Sequence, residues 1–421
     1  MNWLKPILFI VCVFCGSCSF PNQTFLPWEN ELSMEQNVAK NAIALASDEE
    51  FFFLDNIIRG RSVILLGEEG HSDYMTSIIR LKMIKYLQDK GFNSIAFEGH
   101  SFLRSYISSN PKYKELTEKW KTSPFLSSTE VLIHNTQIYQ SFLEEIRKQN
   151  IRIWGIDCYS DYYDIRAVKT ILSDYSDQET LSIDWDRLNN LYIRKFVPYW
   201  GIPDVQGKLS VTEQYELMRI IDTISNHTQY LMFSKGAALE LKVIMQWIRN
   251  LNTLFSHIET LDTIENIIGK EAQRALDIRN RDSQMAENID WIIKNFPEEK
   301  LIVWIANFHG AKDISQTQYP TDSLLYFNLQ STGEFLYATQ GEKMYSLAFT
   351  SYRNEQDRGK LEEEISNATE KSPYAFIDFE PLRFADGYRD QAFESSVIRK
   401  KQGKWLYIFD GLYYIRDQKN E

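Results

Sequence analysis

The sequence predicts an α/β fold: a mainly parallel central sheet with a large inserted helical subdomain. Three observations predict it. A β-α-β unit reads clearly between Ser62 and Gly99. Further short apolar runs, each bounded by turn residues, recur at Ile151–Ile156, Lys300–Ala306, Tyr345–Thr350, Tyr374–Phe379 and Trp405–Phe409. Between the second and third of these strand-bearing stretches, Tyr159 to Pro297 shows no strong strand pattern and is rich in Leu, Ile, Glu, Lys and Gln.

The chain opens with a targeting signature. Met1–Lys5 carries one positive charge, Pro6–Phe14 is apolar, and Gly16-Ser17-Cys18 follows. This is too short to span a bilayer stably and fits an export signal. It resembles a bacterial lipobox, which implies a signal peptide over residues 1–17, a lipid on Cys18 and anchorage in the bacterial cell envelope. Residues 18–32, with Pro21 and Pro27, read as a tether. Three of the four cysteines lie in this segment, so the remainder keeps Cys158 and the modified Cys18. A disulfide framework and a cysteine-based metal site are both excluded.

The first part of the α/β core is expected over residues 33–159. Ser33–Ala46 and Asp48–Arg59 read as helices. Ser62–Leu66 is a buried strand, and the helix Asp73–Lys90 follows, with Ser72 as its cap. Gly91 ends it, and Asn93–Phe97 is the next strand. His100–Pro124 reads as irregular and Ser128–Gln149 as a long helix. The helical insertion takes residues 160–297, with its longest helices at Val211–Asn226, Gln229–Asn252 and Ile264–Phe296. The second part of the core takes residues 298–421. The net charge is −12, and no basic run interleaves with aromatics, so nucleic acid is not an expected partner.

Chemistry gathers where strands end. In open parallel sheets, ligands bind beyond the carboxyl ends of the strands. Glu68 and His71 follow the first strand of the unit, Glu98 ends the second, Asp157 the third, and His309 follows the fourth. Arg80 lies on the inward face of the connecting helix. A buried guanidinium requires a carboxylate, and Glu68 and Glu98 are the nearest by topology. A nucleophile elbow of the G-x-S-x-G type is absent, and Cys158 carries no catalytic signature. His71, Glu68, Glu98 and His309 could ligate a metal in principle, but the spacing carries no H-E-x-x-H motif, and neither metal nor cofactor is expected. A histidine polarised by a carboxylate, with Arg80 near the anion that forms, makes general-base hydrolysis the remaining reading. His134, His227 and His257 sit in helical patterns without acidic neighbours and read as packing residues; His100 could support Glu98.

These residues resemble a known family. G-E-x-x-H at Gly67–His71, Arg80 nine residues on, F-E at Phe97–Glu98, G-x-D at Gly155–Asp157, R-x-x-x-M-A-E-N at Arg281–Asn288 and V-W-x-x-N-x-H at Val303–His309 are similar, in order and spacing, to the erythromycin esterase family. The resemblance implies a cleft between the sheet and the helical insertion, and hydrolysis of a small-molecule ester or lactone. It implies His71 as the general base acting on water, Glu68 and Glu98 orienting it, Arg80 supporting both, and His309 meeting the substrate or the developing oxyanion. Two departures concern the pocket: Ala306 stands where the family commonly has histidine, and Glu69-Gly70 replaces a small residue and Thr. The alternative is a non-catalytic ligand-binding lipoprotein of similar fold, as in related haem-binding proteins.

Overall fold

The computed structural model describes residues 25–70, 74–116, 151–158, 164–176, 183–196, 209–263, 270–318, 329–351, 359–398 and 401–417. The expected signal segment, Cys18, Ser72, the stretch Ser128–Gln149 with His134, and above all His71 lie outside the described residues.

A single sheet of eight strands organises the molecule. Its strands are β1 (Ile43–Leu45), β2 (Val63–Leu66), β3 (Ser94–Ser101), β4 (Arg152–Asp157), β5 (Leu301–Trp304), β6 (Met344–Ser351), β7 (Tyr374–Asp378) and β10 (Gly411–Ile415). They lie in the order β1-β7-β10-β6-β2-β5-β3-β4. All pairs from β10 to β4 are parallel, and β7 runs antiparallel to both β10 and β1. A two-stranded hairpin, β8 (Phe393–Ser395) with β9 (Lys401–Gly403), stands apart.

Strand alternation separates the two cores that flank β2, β3 and β5, and a third lies against β6, β7 and β10. Val63, Leu65, Ala96 and Ile156 face a core shared with Trp247, Leu251, Met285 and Ile289 of the helices between β4 and β5. Ile64, Leu66, Ile95, Phe97, Ile302 and Trp304 face the other side, against Ile79, Met83 and Leu87 of the helix Tyr74–Asp89. The parallel strands are therefore covered on both faces, which explains their unbroken apolar runs. Every described element between β4 and β5 is helical: Asp164–Ser173, Trp185–Phe196, Val211–Lys235, Leu239–Thr263 and Lys270–Asn295.

Four readings of local structure are corrected. The expected helix Ser33–Ala46 is a six-residue helix, Met34–Ala39, closed at its start by a Ser33–Gln36 capping box, and then β1. Pairing of Ile43–Leu45 with β7 overrides local helix propensity. Asp48–Arg59 keeps only one helical turn, Leu54–Ile57. His100 and Ser101 extend β3, and Phe102–Ser109 is a helix where irregular chain was expected. Trp405–Phe409 is a helical turn, Trp405–Ile408, and the last strand begins at Gly411. Arg383 donates to the carbonyls of Leu406 (2.7 Å) and Phe409 (3.1 Å), supplying partners that a neighbouring strand would otherwise provide.

Candidate functional site

Glu68, His309, Glu98 and Asp157 extend from β2, β5, β3 and β4, which are neighbours in that order. All four stand at the carboxyl edge of the parallel sheet. Two consecutive amides bind this edge together. The N–H of Ala306 donates to Glu98 Oε2 at 2.7 Å, and the N–H of Asn307 donates to the carbonyl of Glu68 at 2.7 Å. Gly67 permits this closeness: a Cβ there would lie 2.0 Å from Oδ1 of Asn307.

Arg80 is fully buried and pairs with the buried Glu68. Its guanidinium lies over the Trp304 ring, 3.5 Å from the centroid, and Nη1 faces the Leu66 carbonyl at 3.4 Å. Of the two carboxylates within topological reach, Glu68 is thus its partner. Phe97 points toward the Arg80 face of the sheet, so Glu98 points toward the other. A charge pair this dry depends on both members, because either one alone would be a desolvated ion.

Glu98 meets a different arginine. Between Phe97, paired with Gly155, and Ser101, paired with Asp157, β3 is bulged. Gly99 sits there at φ +79°, a conformation that favours glycine. Gly155 gives the bulge room, since a Cβ would come within 2.4 Å of the His100 carbonyl. The bulge aims Glu98 at Arg281, in the middle of the helix Lys270–Asn295. Arg281 Nη2 donates to Glu98 Oε1 at 3.0 Å, and Nε donates to Asp157 at 3.1 Å. Asp157 also accepts from the Gly99 N–H at 3.1 Å. One guanidinium therefore joins two strand ends to the helical layer. Asn288, two turns along the same helix, repeats the link by donating to the Ile156 carbonyl at 2.8 Å.

His309 completes the cluster. Its Nδ1 lies 2.8 Å from Asp282 Oδ1, and its Nε2 lies between Arg281 Nη1 at 3.1 Å and Glu98 Oε1 at 3.4 Å. Burial pushes the imidazole pKa down, but the carboxylates of Asp282 and Glu98 outweigh it, and the net direction is upward. The site thus holds an imidazole that keeps its proton to higher pH than usual.

Among the predicted residues, Glu98 and His309 meet directly, while Glu68 and Arg80 form an adjoining pair linked through the 306–307 backbone. The sequence reading did not assign roles to Arg281 and Asp282. His100 stacks on Phe97, with ring centroids 5.2 Å apart. Cys158 is buried, and burial together with Asp157 pushes its thiol pKa well up, which makes it a poor nucleophile. Among the described residues, no group of three or more His, Cys, Asp or Glu side chains is arranged to hold a metal ion.

The chain has relatives among known proteins. The family model described as Erythromycin esterase matches residues 87–372. The Bacillus subtilis (strain 168) protein named "Putative hydrolase YbfO" is 21% identical over 321 residues, 73% of this chain and 68% of that protein. Among solved structures, a Bacillus cereus protein aligns with a TM-score of 0.68 at 18% identity, covering 93% of this chain and 98% of its own. A mutant of the erythromycin esterase EreC in its open conformation aligns at 0.61 and 15% identity, covering 90% and 98%. A succinoglycan biosynthesis protein aligns at 0.60 and 13% identity, covering 91% and 96%. At these identities the structural likenesses establish a shared fold.

Proposed function

Because the chain belongs to the erythromycin esterase family, we propose that it is an esterase-like hydrolase that opens an ester or lactone with water, using His71 as general base. The observation that carries this reading is the cluster at the carboxyl edge of the sheet, in which the buried carboxylates of Glu98, Asp157 and Asp282 hold the half-buried Arg281 and His309. A dense set of fixed charges at that edge suits a reaction in which charge develops on an oxygen.

His71 follows Gly70 directly in the chain and removes a proton from water as the oxygen attacks the ester carbonyl. The oxyanion that forms is met by His309, which donates from Nε2 in its cationic form. Collapse breaks the acyl C–O bond, and the leaving alkoxide takes the proton from His71. Glu68, fixed by Arg80, lies three residues before the base and tunes it. Ala306 offers only its N–H, already given to Glu98, so proton transfer falls to His71 and the hydrogen bond to the oxyanion falls to His309.

The two histidines give a bell-shaped dependence of kcat/KM on pH. The acid limb follows deprotonation of His71. The alkaline limb follows loss of the His309 proton, above the ordinary histidine range because its pKa is raised. Assaying the purified protein on p-nitrophenyl esters and macrocyclic lactones, with and without chelator, checks this. Chelator-insensitive turnover with both limbs is the expected result. Absence of turnover on either class favours the ligand-binding alternative, and activity abolished by chelator favours a metal-bound water.

The apolar N-terminal run and its Gly-Ser-Cys junction support anchorage in a bacterial envelope through lipid on Cys18. Single acyl chains hold proteins only marginally, and several together hold firmly. Cys18→Ala should move the protein out of the membrane fraction; its retention there would contradict the anchor.

A further inference from the structure

We propose that Asp282 is a positioning residue, locked by Thr332, that commits Nδ1 of His309 and leaves Nε2 as the only ring nitrogen able to exchange a proton in the site. This goes beyond the general-base role given to His71 and rests on the hydrolytic reading only for its consequence on rate.

The geometry is over-determined. Asp282 has no solvent exposure, and its Oδ1 accepts three hydrogen bonds. They come from His309 Nδ1 at 2.8 Å, from the Thr332 N–H at 2.7 Å and from the Thr332 hydroxyl at 2.7 Å. Its Oδ2 also lies within 2.9 Å of Nδ1. Thr332 begins a helix, Thr332–Gln340, so its N–H is one of the amides that lack a partner within the helix. Asp282 supplies that partner, and in return its carboxylate cannot rotate away from the ring. A carboxylate only accepts, so Nδ1 must carry a hydrogen in both protonation states of the ring. Proton exchange is thereby confined to Nε2.

The surroundings of Nε2 suit that task. Arg281 Nη1 approaches it from the helix Lys270–Asn295 and can donate to the neutral ring. Glu98 Oε1 approaches from β3 and attracts the cationic ring. Asp157, on β4, holds Arg281 from behind. Nε2 therefore has a suitable neighbour before and after it gives up its proton. A fixed carboxylate that sets the tautomer of a working histidine is a familiar device, and an amide in its place allows the wrong tautomer.

The test reads the ring directly. In the full-length protein with ¹⁵N-labelled histidine, the His309 signals are assigned by their loss in His309→Asn and followed against pH. The neutral wild-type ring should carry its hydrogen on Nδ1. In Asp282→Asn, the amide NH₂ can donate to the ring, so the neutral hydrogen should shift to Nε2 and the titration midpoint should fall. Thr332→Val keeps the backbone N–H but removes the hydroxyl, and should lower the midpoint by less. Should Asp282→Asn not fold, Thr332→Val still decides, because an unchanged midpoint and tautomer there overturn the lock. A wild-type neutral ring with its hydrogen on Nε2, or a folded Asp282→Asn protein with unaltered tautomer and midpoint, overturns the proposal. A rate measurement on p-nitrophenyl acetate separates the two readings. Loss of kcat with an earlier alkaline limb in Asp282→Asn supports a role in turnover. Absence of turnover in the wild type bears on the esterase reading alone, since the NMR arms stand without it.

Discussion

His71→Asn protein should hydrolyse an ester with kcat/KM about 10²–10⁴-fold below the parent, the usual contribution of a general base. Asparagine keeps much of the ring's size and polarity but cannot take a proton at neutral pH. An unperturbed histidine titrates near ~6.5, so the parent rate should rise through the His71 pKa, and this limb should vanish in the variant. His134→Asn is the control. Its histidine lies in a helical pattern without acidic or histidine neighbours at ligand spacing, and the variant should retain the parental rate. Steady-state kinetics on folded protein, verified by circular dichroism, make the comparison. Parental turnover by folded His71→Asn would remove the general-base assignment.

Arg80→Met should lower stability by about 3–5 kcal/mol, the usual cost of removing one partner from a buried ion pair. The side chain has no solvent exposure, and Glu68 is 3% exposed, so water cannot replace the guanidinium at the carboxylate. Methionine fills much of the volume against Trp304 but provides no charge. Adding Glu68→Leu to Arg80→Met should recover part of the loss, because the buried carboxylate that lost its guanidinium then disappears. Urea unfolding of the parent, both single variants and the double variant completes the cycle. Additive losses, with the double variant worst, would show that the two side chains act independently. The same cycle guards the kinetics: a slow Arg80 variant says nothing about catalysis until its folded fraction is known.

Strand ends were legible in the sequence because fully covered parallel strands must be apolar on both faces. The runs at Val63–Leu66 and Leu301–Trp304 carry that mark, and Glu68, Glu98 and His309 stood out as charge immediately after such runs. Arg281, named only within the R-x-x-x-M-A-E-N resemblance, and Asp282 carried no such mark, because they lie inside a 26-residue helix whose partner on the sheet, Asp157, is 124 positions from Arg281. A local signal existed. Asp277, Arg281, Gln284 and Asn288 recur at the spacing of an inward helical stripe, where apolar residues are the norm, and Asp277, Gln284 and Asn288 are buried. Polar residues on a core-facing stripe must be paying their desolvation with specific partners. The partner of Arg80 was undecided for a related reason, since alternation along β3 settles it only once each face is known to meet a particular layer. The Trp405–Phe409 run illustrates the reverse error: its apolar, aromatic composition resembles a strand, yet its carbonyls turn toward a guanidinium from another part of the chain.

The bulge in β3 has a consequence for length variation. Between its two flanking pairs, β3 advances four residues while β4 advances two. The excess is even. Side chains alternate with a period of two, so Ser101, the last residue of β3, still faces the layer it would face in an unbulged strand. Deleting Gly99 together with His100 would preserve that parity and mainly retract Glu98 from Arg281. Deleting Gly99 alone would invert the facing of Ser101, which caps the helix Phe102–Ser109. Parity makes two-residue changes at this point a route for remodelling the charge cluster, and single-residue changes a route to losing the Ser101 cap.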